Sequence, residues 1–145
     1  MSVSQLLAPN GSQAYRPAPH APSKIRAVGI VIAARDQSDT IAKAIRSVFA
    51  ANSYCGWHNS LWIVTVADAC KDATAKVARD AIGAFGEVLE VTARSLQTAH
   101  RIGTSSLIEH FRHVPRHALL LASMDAGTEL RCDWMSSKLH ISRPA

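Results

Sequence analysis

Three aspartates that are far apart in the sequence each lie at, or just beyond, the end of a short apolar run. They are Asp36, Asp68 and Asp125. The apolar runs are rich in β-branched residues and lack polar alternation, which is typical of strands buried on both faces. Carboxyl ends of parallel strands meet at one edge of a sheet, and ligands of α/β proteins bind at that edge. The pattern therefore predicts that the three carboxylates share one rim.

Two of the acidic residues near the second run are expected to have different roles. Asp68 comes directly after the apolar residues, where a buried carboxylate needs a partner. Asp72 stands where a helix can begin, and its side-chain oxygen can accept the free N–H groups of the first turn. We therefore predict a ligand-binding role for Asp68 and a helix-capping role for Asp72.

The elements that must position these residues follow from hydrophobic periodicity. The runs 27–34, 61–66, 87–91 and 118–122 are predicted strands, and the third alternates as a strand near a sheet edge does. Helices are predicted from a cap at Ser38 or Asp39 to about Asn52, and over 73–82 and 98–111, with a short one near the end. Strands that alternate with helices indicate an α/β fold with a parallel sheet, in the order 3-2-1-4.

Composition places these elements in one domain. The chain has 145 residues, of which 48% are hydrophobic, and a formal net charge of +5. The segment 1–24 is rich in Ala, Pro, Ser and Gln and is predicted to be a disordered leader, so the domain spans 25–140. The three cysteines form no CxxC pair. Neither a secretory signal nor a transmembrane run is present in the sequence, and we expect a cytoplasmic protein.

Four segments resemble, in order and spacing, the motifs of family 2 glycosyltransferases of the GT-A fold. They are Val28–Ile45, Val64–Thr74, Ala99–Gly103 and Ser123–Met135. The residues that match the motifs of the family are Asp68, Asp72, Thr74, Ala99, Gly103, Asp125, Asp133 and Trp134. Several motifs in the right order are more specific than any one of them.

The resemblance implies a three-layer, Rossmann-like fold that binds a nucleoside diphosphate sugar and transfers its glycosyl group to an acceptor. It assigns donor binding to Ala34, Asp36, Asp68, Arg101 and Asp125. It also implies that Asp125 binds Mg²⁺ or Mn²⁺, which prefers hard oxygen ligands and neutralises the diphosphate leaving group.

Two departures from the family pattern bear on activity. Gly127 stands where the second metal-binding aspartate belongs, which makes the metal site incomplete. Family members also continue well beyond this point, so the resemblance implies that the chain is the donor-binding half, truncated and inactive alone. No residue is an obvious general base, and the sheet would keep an unpaired edge that can take a partner strand or a second copy.

Two alternatives stay open at this point. The chain can be an inactive remnant that binds a nucleotide or a protein partner. It can also be a basic α/β module that binds nucleic acid without sequence preference, although it lacks a basic stripe with interleaved aromatic residues, so we expect no nucleic-acid partner. The absence of GxGxxG and GxxxxGK[ST] argues against a common dinucleotide fold and a P-loop NTPase.

Overall fold

The computed structural model describes residues 25–55 and 60–141. Within these residues, four β-strands alternate with four α-helices. In chain order they are β1 (Ala27–Ala34), α1 (Ile41–Cys55), β2 (Ser60–Asp68), α2 (Thr74–Ile82), β3 (Gly86–Val91), α3 (Leu96–His110), β4 (Leu119–Asp125) and α4 (Trp134–Ile141). Short 3₁₀ turns at Gly83–Phe85 and Arg116–Ala118 lead into β3 and β4. The predicted leader, 1–24, lies outside the described residues.

The four strands form one parallel sheet in the order β3-β2-β1-β4. This confirms the predicted α/β class and strand order, and β3 lies at an edge as its alternating pattern predicts. The chain adds β2 and β3 on one side of β1 and then returns to add β4 on the other side. The winding reverses between β1 and β4, and such a reversal opens a crevice at the carboxyl ends of the strands.

The central strand β1 is fully enclosed, because all eight of its residues are buried. Its side chains alternate between the two faces, as strand geometry requires. Val28, Ile30 and Ile32 pack with one set of helices, whereas Val31 and Ala33 pack on the opposite face. A run of apolar, β-branched residues suits this central strand because both of its faces are covered by helices.

The helices form a layer on each face of the sheet. Buried residues of α1, α2 and α4 share one hydrophobic cluster, and α1 contacts both of the other helices. On the opposite face, α3 buries Ala99 and Leu107, and Phe111 at its C-terminal end is buried with them. The helix packs mainly over β1 and β2 and only slightly over β4. One face of β4 is consequently left with little helical cover.

Gly103 allows α3 to lie close to the sheet. A Cβ atom at this position would lie 2.4 Å from Cγ1 of Val31 and 3.1 Å from Cγ2 of Val66. A methyl group there would push the helix away from two buried strands. The close approach also sets the position of the first turn of α3, which borders the rim described below.

Two strands and one helix extend farther than the sequence pattern predicts. Asp68 and Asp125 are the last residues of β2 and β4, rather than residues beyond them. Helix α3 begins at Leu96 instead of Thr98, because the hydroxyl of Ser95 accepts a hydrogen bond from Thr98 N at 3.2 Å and caps the helix. The apolar periodicity starts later than this cap, so it does not reveal the first turn.

Helix α1 begins later than predicted, at Ile41, and neither Ser38 nor Asp39 caps it by a side-chain bond given by the described structure. The carbonyl of Gln37 instead accepts hydrogen bonds from Thr40 N at 3.1 Å and Ile41 N at 2.9 Å. The amide of Ser38 is directed to Asp72. The start of α1 is therefore held by the backbone carbonyl of Gln37 rather than by the side chain predicted to cap it.

The described helices do not reach the length and apolarity that crossing a bilayer requires. The longest, α1 and α3, have 15 residues each. A spanning helix needs about 20 apolar residues.

Candidate functional site

The three aspartates lie on the same rim of the sheet, as predicted. Asp68 and Asp125 end β2 and β4, and Asp36 comes two residues after the end of β1. The register pairs Ala34 with Ala67 and Ala33 with Asp125, so the ends of these three strands are level. The prediction that strand order gathers these residues is therefore confirmed.

Asp68 is buried, with 4% of its surface exposed, and both of its carboxylate oxygens are engaged. Oδ1 accepts a hydrogen bond from Arg94 N at 2.8 Å, and Oδ2 accepts one from Ser95 N at 3.0 Å. Hydrogen bonds to an ionised acceptor are about twice as strong as neutral ones. Asp68 therefore fixes the loop between β3 and α3, and each oxygen keeps one further lone pair for a ligand.

A pocket of about 160 Å³ opens beside Asp68, between the ends of β1 and β2 and the first turn of α3. Its lining residues are Ala33, Ala34, Arg35, Asp68, Arg94, Ser95, Leu96 and Ala99. The two arginines have no ion-pair partner among the described residues. The N-terminus of a helix also attracts anions, because its first N–H groups lack partners within the helix.

The sequence prediction missed part of this pocket, and of its five donor-binding residues only Ala34 and Asp68 line it, whereas Asp36, Arg101 and Asp125 do not. Arg94 and Ser95 follow β3 and so reach the rim by the same rule that selects Asp68. Applying that rule to the third strand could have found them, and Arg35 follows β1 in the same way. Arg101, which the family resemblance suggests, is exposed on α3 and is not among the lining residues.

The loops after β1 and β2 are joined by hydrogen bonds. Asp36 Oδ1 accepts a bond from Lys71 N at 2.6 Å. Gln37 N donates to Thr74 Oγ1 at 2.8 Å, and Ser38 N donates to Asp72 Oδ2 at 3.1 Å. The two loops therefore form one rigid part of the rim.

Backbone strain is concentrated at this rim. Among the described residues, the non-glycine residues with positive φ are Asp36 (50°), Ala69 (51°) and Arg94 (54°). Each follows the carboxyl end of a different strand, β1, β2 and β3. Left-handed conformations of such residues are unfavourable and persist where surrounding bonds impose them, often at binding sites. The bonds of Asp36 to Lys71 and of Asp68 to Arg94 are of this kind.

The N-cap residue of α2 is Ala73, which makes no side-chain cap, so Asp72 stabilises the start of the helix from the position before the N-cap rather than as the cap itself. Oδ1 of Asp72 accepts a bond from Thr74 N at 3.0 Å and a second bond from the Thr74 hydroxyl. The hydroxyl of Thr74, together with the N–H groups of Thr74 and Ser38, lowers the pKa of Asp72 from 3.8 to about 2. These donors favour the charged form of the carboxylate.

The lowered pKa of Asp72 predicts a contribution to stability that depends on pH. Since the pKa is lower in the folded chain, the contribution is complete above 3.8 and is lost as the pH falls to about 2. Urea unfolding should show that the stability difference between the wild type and Asp72→Asn shrinks over this range. Thr74→Val, which removes the main donor, should weaken the pH dependence. A difference that stays constant with pH would contradict this role.

Asp125 lies on the open part of the rim, with 61% of its side chain exposed. Its Oδ1 is 3.4 Å from Nε2 of His100 in the first part of α3. Mg²⁺ is commonly held by one or two carboxylates, with substrate phosphates as further ligands, and Asp125 supplies one exposed carboxylate here. A Cβ at Gly127 would lie 3.6 Å from Gln37 Oε1, so a side chain is sterically acceptable at the position of the second aspartate.

A group of side chains that does not include Asp125 has the spacing of metal ligands. The ligand atoms of Asp36, Cys70 and Asp72 are within 4.8 Å of one another. However, the two carboxylates accept backbone hydrogen bonds from Lys71 and Ser38. The Cys70 sulfur also contacts Asp36 N at 3.4 Å. This mixed donor set does not suit Mg²⁺, which selects oxygen ligands.

Two comparisons of this chain with known proteins, one with family models and one with curated proteins, found no match. A function must therefore be inferred from the sequence motifs and from the arrangement of side chains at the rim. The rim has a small pocket with two arginines that form no ion pair within residues 25–55 and 60–141, a helix N-terminus, and an exposed carboxylate at the end of β4.

Proposed function

We propose that this chain binds a nucleoside diphosphate sugar at the carboxyl rim of its sheet and represents the donor-binding part of a glycosyltransferase of family 2 type. The observation that carries the proposal is the placement of Asp36, Asp68 and Asp125 at one rim beside a pocket that contains Arg35 and Arg94. The order of the sequence motifs supports the same assignment. The comparisons add no relative to this argument.

The pocket beside Asp68 takes the base of the nucleotide in this proposal. Its volume of about 160 Å³ is well below the roughly 300 Å³ or more of a pocket that encloses a whole ligand. It therefore suits one ring, with the rest of the ligand lying along the open rim. The remaining lone pairs of Asp68 can accept a hydrogen bond from an imide N–H or an amino group.

The diphosphate lies between this pocket and Asp125 in the same proposal. Arg35 and Arg94 supply positive charge, and the first turn of α3 supplies N–H groups directed at an anion. Arg101 is exposed farther along α3 and adds to the positive potential. Asp125 would hold Mg²⁺ or Mn²⁺, and such an ion, when bound, would neutralise the charge of the leaving diphosphate.

Nucleotide titration monitored by thermal stability tests the proposal. One of UDP, GDP or their sugars should raise the melting temperature, and Mn²⁺ should increase the shift. At a ligand concentration about 100 times Kd, binding adds about 2.7 kcal/mol to the free energy of unfolding. Arg94→Ala should weaken the shift, whereas Arg46→Ala, an exposed residue on α1, should leave it unchanged. The proposal fails if none of these ligands shifts the melting temperature.

The substitution Gly127→Asp tests the metal part of the proposal. The position has room for a side chain, so the variant should fold normally. If Asp125 lies in a turn of the family geometry, the second carboxylate should make nucleotide binding depend more strongly on Mn²⁺. The matched control is Gly127→Asn, which has a similar shape and no charge. Equal metal dependence in the two variants would argue against a metal at this turn.

A second candidate function is nucleotide binding without catalysis, and Gly127 is the observation that favours it. With a single carboxylate at the metal turn, the ligand can be held by Arg35, Arg94 and the N-terminus of α3 alone. Nucleotide stabilisation that is the same with Mn²⁺ and with a chelator would support this candidate over the first.

A further inference from the structure

The outer edge of β4 is an unpaired strand edge among the described residues. Ala118 O accepts a hydrogen bond from Arg26 N at 2.7 Å, and Ala126 N donates to Ala33 O at 3.0 Å. The backbone hydrogen-bonding groups of Ala118 and Ala126, two even-numbered residues, therefore point towards β1. Because N–H and C=O of one strand residue point to the same side, the odd-numbered residues from Leu119 to Ser123 direct these groups away from the sheet. Such an edge is a template for another strand.

The two edges of the sheet differ in their protection. The β3 edge contains Glu87 and Glu90, and Glu90 pairs with Arg79 at 2.7 Å. Charged side chains on an edge strand discourage further pairing. In contrast, β4 reads LLLASMD and has no charge before Asp125. Of the two edges, β4 is therefore the one suited to pairing.

An apolar groove of about 460 Å³ runs beside this edge, on the face that α3 leaves uncovered. Its apolar lining is Ile108, Phe111, Val114, Leu119 and Leu121. Three charged residues, Glu109, Arg112 and Arg116, also line it, and Glu109 pairs with Arg112 at 3.0 Å. Ile108 is 49% exposed, which is high for a large apolar residue. The groove and the unpaired strand together form one surface, the β4 edge surface.

Charge is distributed unevenly along the β4 edge surface. Arg116 and His117 lie at its amino end and are exposed, whereas the exposed acidic residues Asp125 and Glu129 lie at its carboxyl end. If two copies pair antiparallel with Leu121 at the centre, Leu119 of one lies opposite Ser123 of the other. The basic turn of each copy then lies beside Asp125 of its partner. The edge is thus complementary to itself, as a two-fold interface must be.

We infer that the β4 edge surface binds a second copy of this chain, in an antiparallel β4–β4 pairing that joins two sheets into one. The pairing satisfies the outward groups of Leu119, Leu121 and Ser123 and brings the two apolar grooves next to each other. A contact built on one short strand is at the small end of specific interfaces, so the dimer is weak and depends on concentration. This inference does not rest on the proposed nucleotide site.

Sedimentation velocity of the full chain over a wide concentration range tests this pairing. A monomer–dimer equilibrium is expected. Ser123→Pro removes an outward N–H without touching the bonds to β1 and should raise the dimer Kd by about tenfold or more. Ser123→Lys, which keeps the backbone unchanged, should act in the same direction by placing a charge on the edge. Circular dichroism of both variants checks that they remain folded.

Charge reversal tests the register. Arg116→Glu should raise the dimer Kd, because it places a carboxylate beside Asp125 of the partner. Arg46→Glu is the control, since it changes the net charge equally on an exposed part of α1. The inference is overturned if both variants have the same effect or if the chain is monomeric at every concentration. It is also overturned if a monomeric chain binds an acidic peptide at this edge, or if the Leu121 amide is protected from exchange even at high dilution.

Discussion

Replacing Asp68 by alanine is expected to lower the free energy of unfolding by about 3 kcal/mol, because it leaves two backbone N–H groups without partners. Arg94 N and Ser95 N both donate to this buried carboxylate, at 2.8 and 3.0 Å. Hydrogen bonds to a charged group contribute about 1.5 to 3 kcal/mol each, and part of the effect is offset by the loss of a buried charge. Urea unfolding at neutral pH measures the change.

The same substitution is expected to abolish nucleotide stabilisation. Asp68 holds Arg94 in its left-handed conformation (φ 54°), and Arg94 and Ser95 line the pocket. Losing the carboxylate therefore frees the loop that forms one wall. Asp68→Asn should show an intermediate loss of stability, because its amide oxygen can accept one of the two hydrogen bonds while its NH₂ group opposes the other donor.

Asp125→Ala is the matched control for the loss of stability. Its side chain is 61% exposed, so its removal should change stability by less than about 0.5 kcal/mol. It should nevertheless reduce metal-dependent binding. A stability loss below about 1 kcal/mol for Asp68→Ala would contradict the positioning role derived from its two hydrogen bonds.

The fold could be predicted from the sequence because the strands are short apolar runs, and the segments between them have apolar residues at helical spacing. The run 27–34 coincides with β1, since a strand buried on both faces has no polar positions to obscure its limits. Helix ends that are determined by hydrogen bonds of polar groups were harder to predict. Ser95 caps α3 and Gln37 closes the turn before α1, and neither residue belongs to an apolar pattern.

The rim was predictable from strand order, but the partners within it were not. Asp36, Asp68 and Asp125 are gathered because parallel strands end at the same edge. The partners of Asp68 are 26 and 27 residues away, in a loop whose left-handed residue, Arg94, is neither glycine nor asparagine. Local sequence preferences cannot reveal such a bond, because it is imposed by the packing of three strands and α3.

Gly86→Ala is expected to be the most destabilising single-methyl change at the edge of the sheet, with a loss of more than about 3 kcal/mol. A Cβ at this position would lie 1.9 Å from the carbonyl oxygen of Ile63 in β2. Ile63 is the residue paired with Gly86 at the start of β3. The clash is with backbone rather than with a flexible side chain, so β3 must move away from β2 to relieve it.

Gly83→Ala provides the comparison. Gly83 lies three residues earlier, and glycine is needed there for its backbone conformation rather than for lack of space. Its φ is 59°, and a Cβ there would have no atom within 4 Å. The expected loss is about 2 kcal/mol, because the backbone conformation of Gly83 (φ 59°, ψ −129°) is one that glycine adopts far more readily than alanine. Since β3 leads directly to Arg94, Gly86→Ala should also lower nucleotide affinity, whereas Gly83→Ala should preserve it. Equal losses of stability for the two variants, measured by urea unfolding, would mean that β3 is not held against β2 as closely as described.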